Sequence, residues 1–157
     1  MRPRSLDAFL KKERVPFTTF RHPVAFTAQN EASVSHVPGR SWAKVVVCFA
    51  DAEPILAVVP AHFRVDLEGL RVLAGARALR LACELEFAKL YPDCEPGAMP
   101  PFGSLYHQRV FVDASLAAEE QIAFNAGTHR DAVYMRYADF AALTDPIVGR
   151  IAQPSLV

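Results

Sequence analysis

Cys94–Gly103 reads C-E-P-G-A-M-P-P-F-G, and its ten residues include three prolines and two glycines. Proline lacks a donor and fixes φ, while glycine opens angles that other residues avoid, so neither a helix nor a central strand survives here. The segment is a shaped loop with a G-x-x-x-P core from Gly97 to Pro101. Prolines on both sides block regular pairing, which leaves the amides of Gly97, Ala98 and Met99 available to hold an oxyanion or a polarised carbonyl. On composition alone, such a loop reads first as a rigid surface connection. Lys44 is the second residue with chemical promise. The chain has four lysines; Lys11, Lys12 and Lys89 sit in charged, helical surroundings, whereas Lys44 lies between Ala43 and Val45-Val46-Val47. A buried ammonium is expensive unless paired. Lys44 therefore either has a task, such as binding phosphate beside an amide loop, or sits at a strand's entrance with its head in water. His129, in G-T-H between two apolar segments, is placed either to face a cleft or to serve as an ordinary structural histidine.

Other chemistries lack their residues. There is no G-x-S-x-G elbow, no Walker loop and no G-x-G-x-x-G after a strand. His22, His36, His62 and His107 show no metal-ligand spacing, and no carboxylate pair stands out. Cys48, Cys83 and Cys94 lack C-x-x-C spacing, which argues against a disulfide framework and a zinc site and suits a reducing cytoplasm. Cys48, between Val47 and Phe49, reads as core rather than nucleophile. No metal site is expected.

The elements that must position Lys44 and the loop follow from hydrophobic pattern and punctuation. Trp42–Ala50 is the clearest strand, and Asp51-Ala52-Glu53-Pro54 turns it into a partner strand at Ile55–Val59. Ser5 is a candidate cap for a first helix running to about Arg14, and Thr27 for a second at about Ala28–His36. Phe17–Arg21 reads as a short strand. Pro60-Ala61-His62 breaks the hairpin, Asp66–Leu73 is a helix ended by Gly75, and Ala78–Ala82 a short strand. Glu84–Tyr91 is a helix stopped by Pro92. Arg109–Asp113, Gln121–Asn125 and Ala132–Arg136 are strands. Tyr137–Leu143 is a helix, Asp145-Pro146 starts a last one toward Ile151, and Gln153–Val157 frays. Hairpins dominate, so the expected class is α+β: a mixed, barrel-like sheet core surrounded by helices.

At 157 residues the chain is expected to be one domain, residues 1–157. No apolar run approaches the roughly 20 residues that span a bilayer, and the N-terminus has no apolar signal segment. Net charge is zero, which excludes a protein coated for gripping long nucleic acid. Residues 1–44 nonetheless carry eight Lys/Arg against three acids. That basic third is suited either to a short phosphate segment or to a solvated helix face.

Three segments together form a pattern: Lys44 in A-K-V-V-V, the loop E-P-G-A-M-P-P-F-G, and F-N-A-G-T-H-R-D-A-V at Phe124–Val133. In this order and spacing, from about Ser5 to Ala152, the chain resembles the YbaK/ProX family of aminoacyl-tRNA deacylases. The same domain is the editing insertion of bacterial prolyl-tRNA synthetases. The resemblance implies hydrolysis of the ester of a mischarged tRNA, in trans, with a small amino acid such as alanine on proline tRNA as the expected substrate. It implies that Lys44 clamps the terminal phosphate region. It further implies that Gly97, Ala98, Met99 and Pro101 form the catalytic carbonyl cradle, and that the substrate's own ribose hydroxyls help activate water. Pro100, Phe102, Gly127, Thr128 and His129 would contact substrate, with His129 lining the amino-acid pocket. No cofactor or metal is implied. The partners implied are a tRNA acceptor end and, as a candidate, an aminoacyl-tRNA synthetase, with no membrane. The alternative is a non-catalytic module of the same fold that binds a tRNA end or a synthetase.

Overall fold

The computed structural model describes residues 4–154. The organising element is the expected hairpin. Its first strand, Ala43–Ala50, is rich in β-branched residues and pairs antiparallel with Glu53–Pro60, so that Lys44 faces Val59 and Val47 faces Leu56 in register. The hairpin sits inside a larger array, and the strands are numbered along the chain accordingly: β1 Phe17–Arg21, β2 Ala43–Ala50, β3 Glu53–Pro60, β4 Phe63–Val65, β5 Leu79–Leu81, β6 Val110–Asp113, β7 Gln121–Asn125, β8 Asp131–Arg136, β9 Ile147–Gly149 and β10 Ala152–Pro154. Five of them form a sheet in the order β5-β2-β3-β6-β9. Its β3–β6 and β6–β9 pairs are parallel and the rest antiparallel. A second sheet has the order β1-β8-β7, antiparallel throughout. β10 and β4 make a two-stranded ribbon. A parallel bridge between Trp42 and Ala123 ties the second sheet to the first.

The α+β class and the mixed sheet are as expected, but the sheets do not close into a barrel. The five-stranded sheet ends openly at β5 and β9. β3 is buried on both faces. Leu56 and Val58 join one apolar cluster, with Val47, Phe102, Phe124 and Phe140; Ile55, Ala57 and Val59 join another, with Cys48, Leu70 and Phe111. Such a strand reads as a continuous apolar run, which is why the hairpin is so plain in the sequence.

The helices are α1 Arg4–Lys12, α2 Ala28–Val34, α3 Leu67–Ala74, α4 Glu84–Leu90, α5 Ala114–Ala117 and α6 Tyr137–Thr144. Thr27 caps α2 as expected, its hydroxyl accepting from the Asn30 amide at 3.2 Å. Asp66 caps α3 through the Gly69 amide, and Gly75 ends it in the left-handed conformation, φ +70°. The cap expected from Ser5 rests on a side chain outside the described residues. Among the described residues, no helix is long and apolar enough to cross a membrane.

The helix expected from Asp145-Pro146 toward Ile151 is absent; β9 occupies that stretch and β10 follows it. Partners elsewhere in the chain decide the outcome. β9 adds to β6, and the Asp113 carboxylate accepts hydrogen bonds from the amides of Ile151 and Ala152, both at 2.9 Å. Gln153 and Pro154, expected in the frayed tail, belong to β10, while residues 155–157 lie outside the described part. β4 and α5 were not anticipated. The first is three residues long and exists through its pairing with β10, and the second is four residues long and is capped by Asp113, whose carboxylate accepts from the Ser115 amide.

Candidate active site

The loop and the Gly-Thr-His turn are sewn together, although thirty residues of chain separate them. Glu95 donates its amide to the Gly127 carbonyl at 2.7 Å, and Gly127 donates back to the Ala98 carbonyl at 2.9 Å. The Glu95 carboxylate accepts from the His129 amide at 2.8 Å, and His129 Nε2 lies 2.8 Å from the Pro96 carbonyl. Gly97 (φ +83°) and Gly127 (φ +100°) both take conformations that only glycine adopts freely. At Gly97 the backbone passes directly over the imidazole: a Cβ there would lie 3.7 Å from His129 Cε1.

Beside this loop lies a cleft of about 490 Å³. Gly97 and Met99 line it from the loop, Lys44 from β2, Glu31 and Thr27 from the N-terminal part of α2, and Asn125 from the end of β7. The amides of Gly97 and Met99 have no acceptor among the described residues, and both residues line the cleft. The Ala98 amide is not available; it closes a turn onto the Glu95 carbonyl at 3.0 Å. The expected trio of free amides is therefore a pair.

Lys44 is half-buried, and its ammonium donates to the Phe63 carbonyl of β4. Burial pulls its pKa below the ordinary lysine range. The residue also lines a second, more apolar groove with Val46, Arg64, Leu67 and Leu81, so it stands at the boundary of two depressions.

His129 lies behind the loop, buried to 6% exposure. Its Nδ1 is 3.2 Å from Oε2 of Glu31, itself 2% exposed. A carbonyl only accepts, so the Pro96 contact places a proton on Nε2. Nδ1 then shares a further proton with Glu31, either as imidazolium facing carboxylate or as imidazole facing carboxylic acid. Burial pushes the Glu31 pKa up, against hydrogen bonds from Asn125 and His129 that lower it. The pair carries no net charge in either form.

The structure thus brings Lys44, Gly97 and Met99 to one cleft. His129 instead supports the loop from beneath and lines a neighbouring depression with Arg21, Pro96 and Arg130. Thr128 builds the turn: its hydroxyl donates to Asp131 at 2.7 Å and accepts from the Asp131 amide at 3.0 Å. Pro100 and Pro101 are buried. Phe102 is fully buried against Phe140, with ring centroids 5.3 Å apart, so it anchors the loop in the core instead of contacting substrate. Glu31, Asn125 and the rim residue Phe26, 73% exposed, escaped the sequence reading. A-Q-N-E-A-S-V looks like a solvated helix, and nothing local signals that its glutamate faces inward. The F-N-A-G strand end was a usable signal for Asn125.

Known proteins resemble this chain throughout. A family model described as the aminoacyl-tRNA editing domain matches residues 22–143. The multifunctional Ser/Thr-tRNA deacylase ProXp-y of Escherichia coli strain K12 is 29% identical over 157 residues, spanning 97% of this chain and 89% of that protein. A crystal structure described as a candidate trans-editing enzyme for prolyl tRNA synthetase superposes with a TM-score of 0.84 at 22% identity, covering 96% of both chains. The crystal structure of a hypothetical protein gives a TM-score of 0.85 at 17% identity, over 94% of this chain and 99% of the other. At those identities the two structures speak for the fold alone.

Proposed function

The chain belongs to the aminoacyl-tRNA editing domain family and is an aminoacyl-tRNA hydrolase, and from that premise we propose that it acts in trans on mischarged tRNA with a small aminoacyl group, in the cleft between Lys44 and the Gly97 loop. The observation that carries this is the meeting of one lysine and two uncommitted backbone amides on one cleft. An aminoacyl ester is already activated, so positioning and stabilisation of the developing oxyanion suffice without a protein nucleophile. In this reading the Lys44 ammonium holds the phosphate of the terminal nucleotide, and the amides of Gly97 and Met99 face the ester carbonyl. Water adds to the carbonyl carbon, helped by a ribose hydroxyl of the substrate. The ester C–O bond then breaks, releasing the free amino acid and a tRNA with its terminal hydroxyl restored. His129 acts through the loop, holding the Pro96 carbonyl so that Gly97 keeps its turn.

Alanine on proline tRNA is the first substrate proposed. A second reading, serine or threonine, is favoured by the name of the E. coli relative and by Thr27, Gln29 and Asn125 on the cleft wall. A shape-based pocket separates substrates that differ by a methylene by only about 1–3 kcal/mol. The test is a deacylation panel with Ala-, Cys-, Ser- and Thr-charged tRNAs, with and without prolyl-tRNA synthetase. Hydrolysis of Ala-tRNA(Pro) above the Ser and Thr species supports the first reading, and the reverse order supports the second. No turnover on any member, with salt-sensitive tRNA binding retained, would sink both and leave a binding module. Dependence of turnover on added synthetase would identify that enzyme as a partner.

A further inference from the structure

Two of the residues that line the cleft carry acceptors that the hydrolysis described above leaves unused. Asn125, 7% exposed, donates Nδ2 to Glu31 Oε1 at 2.9 Å. That bond fixes the amide's orientation, because the carboxylate oxygen is the acceptor. Asn125 Oδ1 is then a buried acceptor with no donor among the described residues. Buried acceptors are rarely left unpaired, so this one calls for a donor from a ligand. Glu31 lines the same cleft. One lone pair on each of its oxygens is taken, by Asn125 and by His129, and each oxygen has a second.

Charge sharpens the match. Among the described residues that line this cleft, Glu31 is the one carboxylate and Lys44 the one Lys or Arg. A complementary ligand carries one donor-rich cation and one anion. The aminoacyl end of a tRNA carries both: an α-ammonium on one side of the ester, and a phosphate on the far side of the ribose.

We infer that Glu31 and Asn125 Oδ1 bind the free α-ammonium of the aminoacyl group, so that the site accepts esters with an unblocked amine and rejects N-acylated, peptidyl-like esters. This rests on the deacylase reading and extends it to the class of acyl group admitted. N-acylation replaces three N–H donors and a charge by a single neutral N–H, and adds a carbonyl that would face two acceptors.

The experiment compares one aminoacyl-tRNA with the same tRNA after N-acetylation, using the intact protein and its Glu31→Gln variant. A charge-assisted hydrogen bond supports a roughly ten- to hundredfold preference for the free amine. In Glu31→Gln that ratio should fall toward one, chiefly through slower hydrolysis of the free-amine ester. A merely structural role for Glu31 would slow both esters equally and keep the ratio, and that result overturns the inference. Equal hydrolysis of the two esters by the unaltered protein overturns it without any variant. Affinity for 3′-aminoacylamino-3′-deoxyadenosine 5′-phosphate, free or N-acetylated, separates this inference from the one it rests on. A preference for the free amine in binding, with no turnover of any ester, would retire the deacylase reading and keep the ammonium site. Equal affinity together with normal turnover would do the opposite.

Discussion

Gly97 and Gly75 form a natural matched pair for testing whether loop geometry sets the reaction rate. Both glycines are exposed and left-handed, at φ +83° and φ +70°. A Cβ at Gly75 meets nothing within 4 Å, and at Gly97 it meets His129 at an ordinary contact distance of 3.7 Å. Space is therefore not the obstacle at either position; the backbone is. An L-residue in this region costs roughly 1–2 kcal/mol, and a β-branched one is a genuine outlier. Valine at either site should push the chain out of its turn. For a protein of this length, 1–2 kcal/mol lowers Tm by roughly 2–8 °C, and both variants should show a similar loss by circular dichroism. Single-turnover deacylation should separate them. Gly75→Val frays the end of α3, away from the cleft, and should keep its rate. Gly97→Val moves the amides of Gly97 and Met99, and a displacement of about 1 Å at a positioning group is enough for a roughly hundredfold loss. Alanine at 97 is the graded intermediate. If Gly97→Val matched Gly75→Val in rate within about threefold, the proposal that this turn holds the carbonyl would be wrong.

Lys44→Met should lower kcat/KM by roughly ten- to hundredfold, the worth of a charge-assisted contact. It should also reduce the salt slope of tRNA binding by about one counterion. Its Tm should change little, because burial already disfavours that ammonium in the folded state. Asp113 tests the C-terminal strands. Burial raises its pKa, but hydrogen bonds from Ser115, Ile151 and Ala152 outweigh this and leave it lowered. A carboxylate depressed on folding stabilises above its ordinary range and loses that contribution as pH falls through the lowered value. Asp113→Asn should therefore cost about 1–3 kcal/mol near neutrality, and the gap from the parent protein should narrow in acid, as read by urea melts at several pH values; a gap that stays constant down to pH 2 refutes the assignment. Thiol reactivity gives a last check. Burial pushes Cys48 up to about 12 and Cys94 up to about 11. At pH 8 the Cys94 thiolate is then roughly one part in a thousand. Iodoacetamide should label the exposed Cys83 first, with peptide mapping as the readout, and early modification of Cys94 would contradict its burial.

What was readable in the residues follows from how local each cause is. The β2–β3 hairpin showed because a strand buried on both faces needs an uninterrupted apolar run. The Asp66 and Gly75 ends of α3 showed because capping is chemistry within one turn. The G-x-x-x-P loop and Lys44 showed because prolines, and a cation among valines, stand out from their surroundings. β9 and β10 did not, since strands of three residues exist only through β6, β4 and the Asp113 carboxylate. Glu31 did not, because its burial is decided by Asn125 and His129, which lie 94 and 98 residues further along the chain. Phe102 looked like part of the loop's working surface, although its ring belongs to the core. Side-chain direction within an irregular loop is set by packing, to which spacing is blind.

The stitching of the Gly97 loop to the Gly127–His129 turn also bears on when the protein becomes competent during folding. Glu31, Lys44, the loop and the turn come from three distant stretches, and the hydrogen bonds that join loop to turn close about thirty residues of chain. Such contacts carry their loop-closure entropy before they return any stabilisation. A complete but only partly folded chain would own every residue of the site and none of its geometry. Hydrolysis would then require the folded chain, in which loop and turn are joined.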